Sequence, residues 1–459
     1  MKYYERPSSR QRSKTRVSPM RVLMLCFAVL LTLGLIATAV ILGIKPEKKT
    51  AGDATLSGGT SSESSSVPVI SQAPKSTLAT GASIESSIEN GDVFTAEATI
   101  SMVGDVLLHQ RMRNAGLVSG TSYDYSSYFS EIKYHFDKVD FNIFNMEGPI
   151  DAKGDNKGLA SYPCFNYPYQ LAANLKDAGF HAAITSNNHA FDQGWNGLLS
   201  TRKHLMDNDI DVLGTYENQQ QFDEFYIREI KGVKVGVLAY SALDNGMSSA
   251  VGNHVAYAMP RFKDNNTDDV PKMIDKVNDL RDAGAEFVVM ALHWGSEYVD
   301  KPSAMQKQIA QKLVEGGVDV IMGDHSHCPQ PIEVREVNRG GFSRKALIVY
   351  STGNFCSDQT ALNPPLAKTQ EGLLVSVGIS RDSAGAYISA ASYIPTLCYP
   401  DEMWRANGQP VGYRILPAGR YAQATSKPDG ISSNVWQKCK NAWDRVPKLV
   451  GTQIDCLPE

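Results

Sequence analysis

The sequence predicts an α/β layered domain in which two β-sheets pack together between flanking helices. Two observations predict it. Strand-type and helix-type runs alternate through the middle of the chain, and a polar motif follows the C-terminal end of each buried strand-type run. In α/β sheets that edge is where ligands bind.

The elements follow in order. Ala98 to Val103 alternates, turns apolar and ends at Gly104-Asp105, as a core strand does before a loop. Phe141 to Asn145 predicts a second strand, which delivers Glu147. Helical spacing over Tyr169 to Ala178 precedes a strand at Ala182 to Ser186 and the turn Asn187-Asn188-His189, and Gly197 to Met206 predicts another helix. Phe225 to Ile230 and Val233 to Tyr240, joined by Lys231-Gly232, predict a hairpin. Val270 to Ala283 and Ala304 to Glu315 predict helices; they alternate with strands at Phe287 to Leu292, ending at His293, and Val318 to Met322, ending at a His pair. From Arg344 onward, strands at Ala346 to Tyr350, Leu373 to Ile379 and Tyr387 to Ile394 are expected to complete the second sheet. The segment 401–459 has weaker periodicity, apart from a helix near Val435 to Val446, and suggests no role.

The polar motifs carry the chemistry. Gly104-Asp105 with His109, Asn145-Met146-Glu147, Asn187-Asn188-His189 with Asp192, His293, and His325-Ser326-His327 gather five of the nine His residues, leaving His135, His181, His204 and His254 outside. The mixture of carboxylate, amide and imidazole donors without thiolate suits Zn, Mn or Fe better than Ca or Mg. Two metals held close together need terminal ligands and a bridging oxygen; such a pair activates water while clamping a phosphoryl or acyl oxygen. Asn188, His293, His325 and His327 are candidate terminal ligands, Asp105 is the carboxylate for one ion or a bridge, and Glu147 either bridges or serves the second ion. His109 is either a ligand or a helix-face residue. His189, beside the ligands, is placed to act as a general acid, with Asp192 orienting its ring.

Before this domain, Val22 to Ile44 is apolar and uncharged, long enough to cross a bilayer. Its basic N-terminal flank predicts a cytoplasmic N-terminus (residues 1–21), a membrane anchor (22–44) and an exported remainder. Ala37-Thr38-Ala39 admits a cleaved signal peptide instead, although the apolar run continues past it. Residues 45–94, rich in Ser, Gly and Thr, predict a disordered stalk leading to a domain over 95–400. Seven Cys leave room for a disulfide of unassigned pairing. A net charge of −4, with no basic block after the anchor, argues against nucleic acid as a partner.

Together these motifs, with Gln193-Gly194, Trp294-Gly295-Ser296-Glu297-Tyr298, Gln330-Pro331 and Tyr350-Ser351-Thr352-Gly353-Asn354-Phe355, resemble the capsule-synthesis CapA proteins, which are linked to poly-γ-glutamate capsules and placed with the calcineurin-like metallophosphatases. The resemblance implies a four-layer sandwich and a binuclear site of divalent transition metals. It also departs from the metallophosphatase pattern twice: Asp105 to His109 replaces an Asp-x-His spacing, and Glu147 stands where a bridging Asp is usual. Asn187, Glu297 and Asn354 are the candidate substrate contacts; around Glu297, either Glu297 and Tyr298 touch substrate or Trp294 and Tyr298 pack the loop. The function expected is synthesis, export or processing of an anionic surface polymer such as poly-γ-glutamate, by hydrolysis of a phosphoester or γ-glutamyl amide. The alternatives are a non-catalytic metal-binding scaffold among membrane polymer-synthase subunits, and a phosphatase acting on an unrelated phosphoester.

Overall fold

Long apolar strands set the architecture. A computed structural model describes residues 97–359 and 368–459; the expected anchor at 22–44 and stalk at 45–94 lie outside them. Among the described residues no helix is long and apolar enough to cross a membrane. The strands run β1 (Ala98–Leu107), a short hairpin β2 (Leu117–Ser119) and β3 (Ser122–Tyr123), β4 (Phe141–Met146), β5 (Ala182–Ile184), β6 (Asp211–Leu213), β7 (Tyr226–Ile230), β8 (Val233–Ser241), β9 (Phe287–His293) and β10 (Val320–Asp324). They continue with β11 (Ile332–Arg339), β12 (Phe342–Val349), β13 (Asn354–Ser357), β14 (Glu371–Asp382), β15 (Gly385–Asp401), β16 (Gly412–Pro417) and β17 (Asp455–Cys456).

One sheet has the order β16-β15-β14-β1-β4-β5-β6, with β13 paired to β1 and β17 to β15; the other has the order β11-β12-β10-β9-β8-β7. Within each sheet the motif-bearing strands are parallel, β1 with β4 and β5, and β8 with β9 and β10, so their C-terminal ends share an edge. Because neighbouring side chains of a strand face opposite ways, each strand feeds two cores. Met102, Ile143 and Ile184 meet Val237, Val289 and Val320 between the sheets. Val103, Phe144 and Ala183 pack outward against Leu171 and Leu175 of the helix Gln170–Ala178. On the opposite outer face Val288, Met290 and Ile321 pack against the helices Val270–Asp282 and Ala304–Glu315. The result is four layers, helix, sheet, sheet and helix. Burial on both faces explains why these strands read as apolar runs rather than alternations.

The expectation for the strands after Arg344 needs correction. The strand over 346–350 is part of β12, which pairs in parallel with β10, whereas those over 373–379 and 387–394 are β14 and β15, on the other sheet beside β1. Apolar periodicity marks a buried strand without saying which sheet it joins. The boundary at 400 falls within β15, and the following segment extends the same sheet through β16. Val446 and Val450 of the helix Ser433–Val450 enter the core between the sheets. All six cysteines among the described residues are free thiols.

Two glycines explain why Gly precedes Asp at the ends of β1 and β10. A Cβ on Gly104 would lie 1.8 Å from the Gly353 carbonyl oxygen, and one on Gly323 would lie 2.0 Å from that of Tyr350. The Tyr350–Asn354 segment therefore runs against both strand ends. The Asp105 N–H donates to Gly353 O at 3.2 Å and the Thr352 N–H to Gly323 O at 3.0 Å.

Candidate metal centre

The shared strand edges deliver two groups of donor atoms with one carboxylate between them. In the first, His327 Nδ1 lies 3.0 Å from Asp105 Oδ2 and 3.2 Å from Asn354 Oδ1. In the second, His293 Nε2 lies 2.8 Å from Asn188 Oδ1 and 3.1 Å from His325 Nδ1. Glu147 presents Oε1 to His293 Nε2 and Oε2 to His327 Nδ1, each at 3.9 Å. Asp105 and Glu147 come from strands of the larger sheet and Asn188 from the turn after β5; His293 ends β9, and the His pair follows β10. His325 and His327 both adopt left-handed backbone, with φ of 94° and 58°. Such conformations are costly for non-glycine residues and concentrate at functional sites.

The charges show what this arrangement lacks. Glu147 is fully buried, and among the described residues neither of its oxygens has a hydrogen-bond partner. Burial, reinforced by Asp105, pushes its carboxyl well above the usual range. Burial also opposes the charged form of His327, but Glu147, Asp105 and Glu297 outweigh it and raise that ring. Burial, then His325, lowers His293, while burial and His327 lower His325 to about 4. Both therefore present neutral rings with lone pairs at neutral pH. An unpartnered acidic side chain facing His327 on one side and the neutral rings of His293 and His325 on the other, with an amide oxygen and a second carboxylate, is a donor set that fits divalent metal. The ligand atoms of Asp105, Glu147 and His327 lie within 4.8 Å of one another, as do those of Glu297, His325 and His327.

Beside these donors, His189 Nδ1 lies 2.7 Å from Asp192 Oδ2, which also accepts from the Phe165 N–H at 2.7 Å. With Asp192 fixing Nδ1 as the protonated nitrogen, Nε2 is free to exchange a proton. Asn187 turns inward, donating to Met146 O at 2.8 Å and Asn145 Oδ1 at 3.1 Å, so it braces the Glu147 segment.

The family described as bacterial capsule synthesis protein PGA_cap matches residues 99–359, more than half of the chain and all of the donors just described. The chain belongs to that family. Among relatives, this PGA_cap chain is 29% identical over 264 residues to the capsule biosynthesis protein CapA of Bacillus anthracis, covering 57% of this chain and 60% of that one. It is 25% identical over 297 residues to the PGA biosynthesis protein CapA of Bacillus subtilis, covering 64% and 70%. It thus spans less than two thirds of the first relative's length. A solved structure, the calcineurin-like phosphoesterase YfkN from Bacillus subtilis, aligns at 13% identity with a TM-score of 0.37, covering 76% of this chain and 98% of that one.

Of the residues singled out from sequence, the PGA_cap fold brings Asp105, Glu147, Asn188, His293, His325 and His327 together, with His189 and Asp192 alongside. His109 stands apart from both donor groups: its Nδ1 faces Ser357 Oγ at 3.4 Å, and burial and then His327 lower its pKa to about 4. It begins a short helix, Gln110–Ala115, as the N-cap residue, so the four-residue step from Asp105 carries it past the strand end. Glu297 is partly exposed with Oε1 3.8 Å from His327 Nε2, and its attraction to that ring lowers its pKa. Asn354 is held by donating to Gln359 Oε1 and Thr369 O, which leaves its own oxygen facing His327. Trp294 packs: it is buried and donates from Nε1 to Tyr350 O. Three supporting residues were not singled out. Asn145 donates to Asp105 Oδ1 at 2.7 Å, and Thr352 donates to buried Asp324. Asn145 and Thr352 lie inside the motifs already quoted, and Asp324 directly precedes the His pair; the even spacing from Glu147 and that position were the available signals.

Proposed function

We propose that this chain is a metal-dependent hydrolase that works outside the cell membrane on an anionic surface polymer of the poly-γ-glutamate kind. The carrying observation is Glu147, buried and unpartnered with one oxygen towards each donor group, beside the His189–Asp192 pair. Asp105 and His327 with Glu147 would hold one divalent ion, and Asn188, His293 and His325 with Glu147 the other; Mn, Zn or Fe suits the donors. Bound there, such ions would polarise the scissile acyl or phosphoryl oxygen and make water a better nucleophile at neutral pH. The protein's own part follows from the side chains. Asp192 holds the His189 ring, whose Nε2 hands a proton to the leaving nitrogen or oxygen, while Asn187 and Asn354 keep the flanking ligands in place.

The polymer is supported by the names of the relatives, which tie them to capsule and PGA biosynthesis. The outward location is supported by the basic flank before residues 22–44. Position on the membrane also makes polymer-synthase subunits the expected neighbours. The test uses the Mn- or Zn-loaded full chain and follows amine release from poly-γ-glutamate and phenol release from an aryl phosphodiester. His189→Gln should lower turnover by roughly 10²-fold or more with metal content unchanged. A metal-loaded wild type inactive on both substrates would move the assignment to a scaffold role, and a variant as fast as wild type would remove His189 as the proton donor.

A further inference from the structure

A cavity of about 480 Å³ opens beside the metal centre, lined by His109, Arg111, Asn114, Ser161, Tyr162 and Asp358 among others. The Phe165 ring meets His189 edge-on at 4.8 Å between centroids and His109 edge-on at 5.5 Å, so a single aromatic ring separates the candidate general acid from the cavity wall.

Arg111 is the one lining side chain with a permanent positive charge, and it is built into place. Its Nε donates to Asp358 Oδ2 at 3.0 Å and to the Tyr413 hydroxyl at 2.7 Å, and that hydroxyl donates to the same Asp358 oxygen at 2.6 Å. The Asp358 side chain is 2% exposed, whereas that of Arg111 is 47% exposed. A buried carboxylate thus holds the Nε edge of a guanidinium whose side chain is otherwise about half exposed. A planar fork held this way matches a carboxylate with two parallel hydrogen bonds, which an ammonium cannot do. Tyr162, 66% exposed, lies on the same wall and offers an aromatic face to the aliphatic part of a chain.

We propose that this cavity is the leaving-group subsite of the centre and that Arg111 binds a carboxylate carried close to the bond that is cut. The choice of fragment rests on the hydrolase reading; the binding does not require turnover. In a γ-linked glutamate chain the nitrogen that leaves is bonded to the carbon bearing the free α-carboxylate, which puts an anion one carbon from the departing atom. A simple alkyl or aryl phosphoester offers none there.

The test measures equilibrium binding of a γ-linked glutamate tetramer, and of the same tetramer with its α-carboxyls methylated, to the Mn-loaded full chain. Wild type should prefer the acid. Arg111→Gln should weaken the acid about tenfold and leave the ester unchanged, and Arg111→Lys should fall between because it loses the fork. Tyr162→Ala, with folding checked by its melting curve, should weaken acid and ester alike. Should Arg111→Gln fail to fold, Arg111→Lys and Tyr162→Ala decide. An unaltered preference for the acid in the Arg111 variants, or no preference in wild type, overturns the proposal. Arg111-dependent binding without any hydrolysis would refute the hydrolase reading while upholding Arg111 as the carboxylate-binding residue.

Discussion

Replacing Glu147 with Gln should change the protein's stability in opposite directions with and without metal. In the metal-free protein Asp105 and Glu147 bring two buried carboxylates to one charged ring, His327, and among the described residues neither Glu147 oxygen has a hydrogen-bond partner. A buried polar group left unsatisfied costs about 1–3 kcal/mol, and more when charged. Glu147→Gln leaves one carboxylate to one ring; its amide stays unsatisfied but carries no charge, so at pH 8 in chelator the variant should be more stable by about 1 kcal/mol, measurable as a shift in Tm. Because the Glu147 pKa is raised, the cost is absent below the ordinary value of 4.5 and accumulates from there up to the raised value; the variant's advantage should shrink at pH 5. With metal the order inverts. A ligand at 100 times its Kd stabilises the folded state by about 2.7 kcal/mol, and the variant, without the carboxylate that faces both donor groups, should lose most of that gain. Thermal melts with chelator and with Mn, at both pH values, measure all four states. A variant that is less stable in chelator yet gains as much from Mn as wild type would refute the reasoning and make Glu147 a structural group.

Asp105→Ala combined with His325→Ala removes one ligand from each donor group and should abolish metal content measured by elemental analysis; about two retained equivalents would contradict the assignment. Metal affinity should rise with pH, because ions must displace protons from His327 and Glu147, whose pKa values are raised, while His293 and His325 are already neutral; titrations between pH 6 and 8 that show no dependence would exclude this. Above pH 6.5 the raised pKa of His327 makes the metal-free protein lose stability as pH rises: its contribution is complete below the ordinary value of 6.5 and disappears through the raised one. Gly104→Ala places a Cβ 1.8 Å from a backbone oxygen, and overpacking of this kind costs about 1–3 kcal/mol or more; it should also weaken metal binding by moving Asp105, checked by melting and metal titration.

The site was legible in sequence because its residues occupy the ends of fully buried parallel strands, where an apolar run stops abruptly at a polar residue. Asp105, Glu147, His293 and the His325–His327 pair all announce themselves this way. The turn carrying Asn188 and His189 was readable for the same reason. What sequence did not give depends on long-range partners. The pairing of β12 with β10 and of β14 with β1 is a choice between two sheets that the same apolar pattern permits. β11 reads Ile332-Glu333-Val334-Arg335-Glu336-Val337, a half-exposed edge strand with little apolar signal. Arg111 gave no sign of a role, since what holds it is Asp358 and Tyr413, 247 and 302 residues further along the chain.

The donor atoms come from both sheets, with Asp105, Glu147 and Asn188 on one side and His293, His325 and His327 on the other, and Tyr350–Asn354 threads between the two strand ends against Gly104 and Gly323. Ions held there would rivet two halves of the sandwich that otherwise meet through side-chain packing. The spacing of the ions would then be a vernier on sheet alignment: a methyl group removed from Val289 or Ile143, deep between the sheets, would register at the centre as a change in metal affinity without touching a ligand.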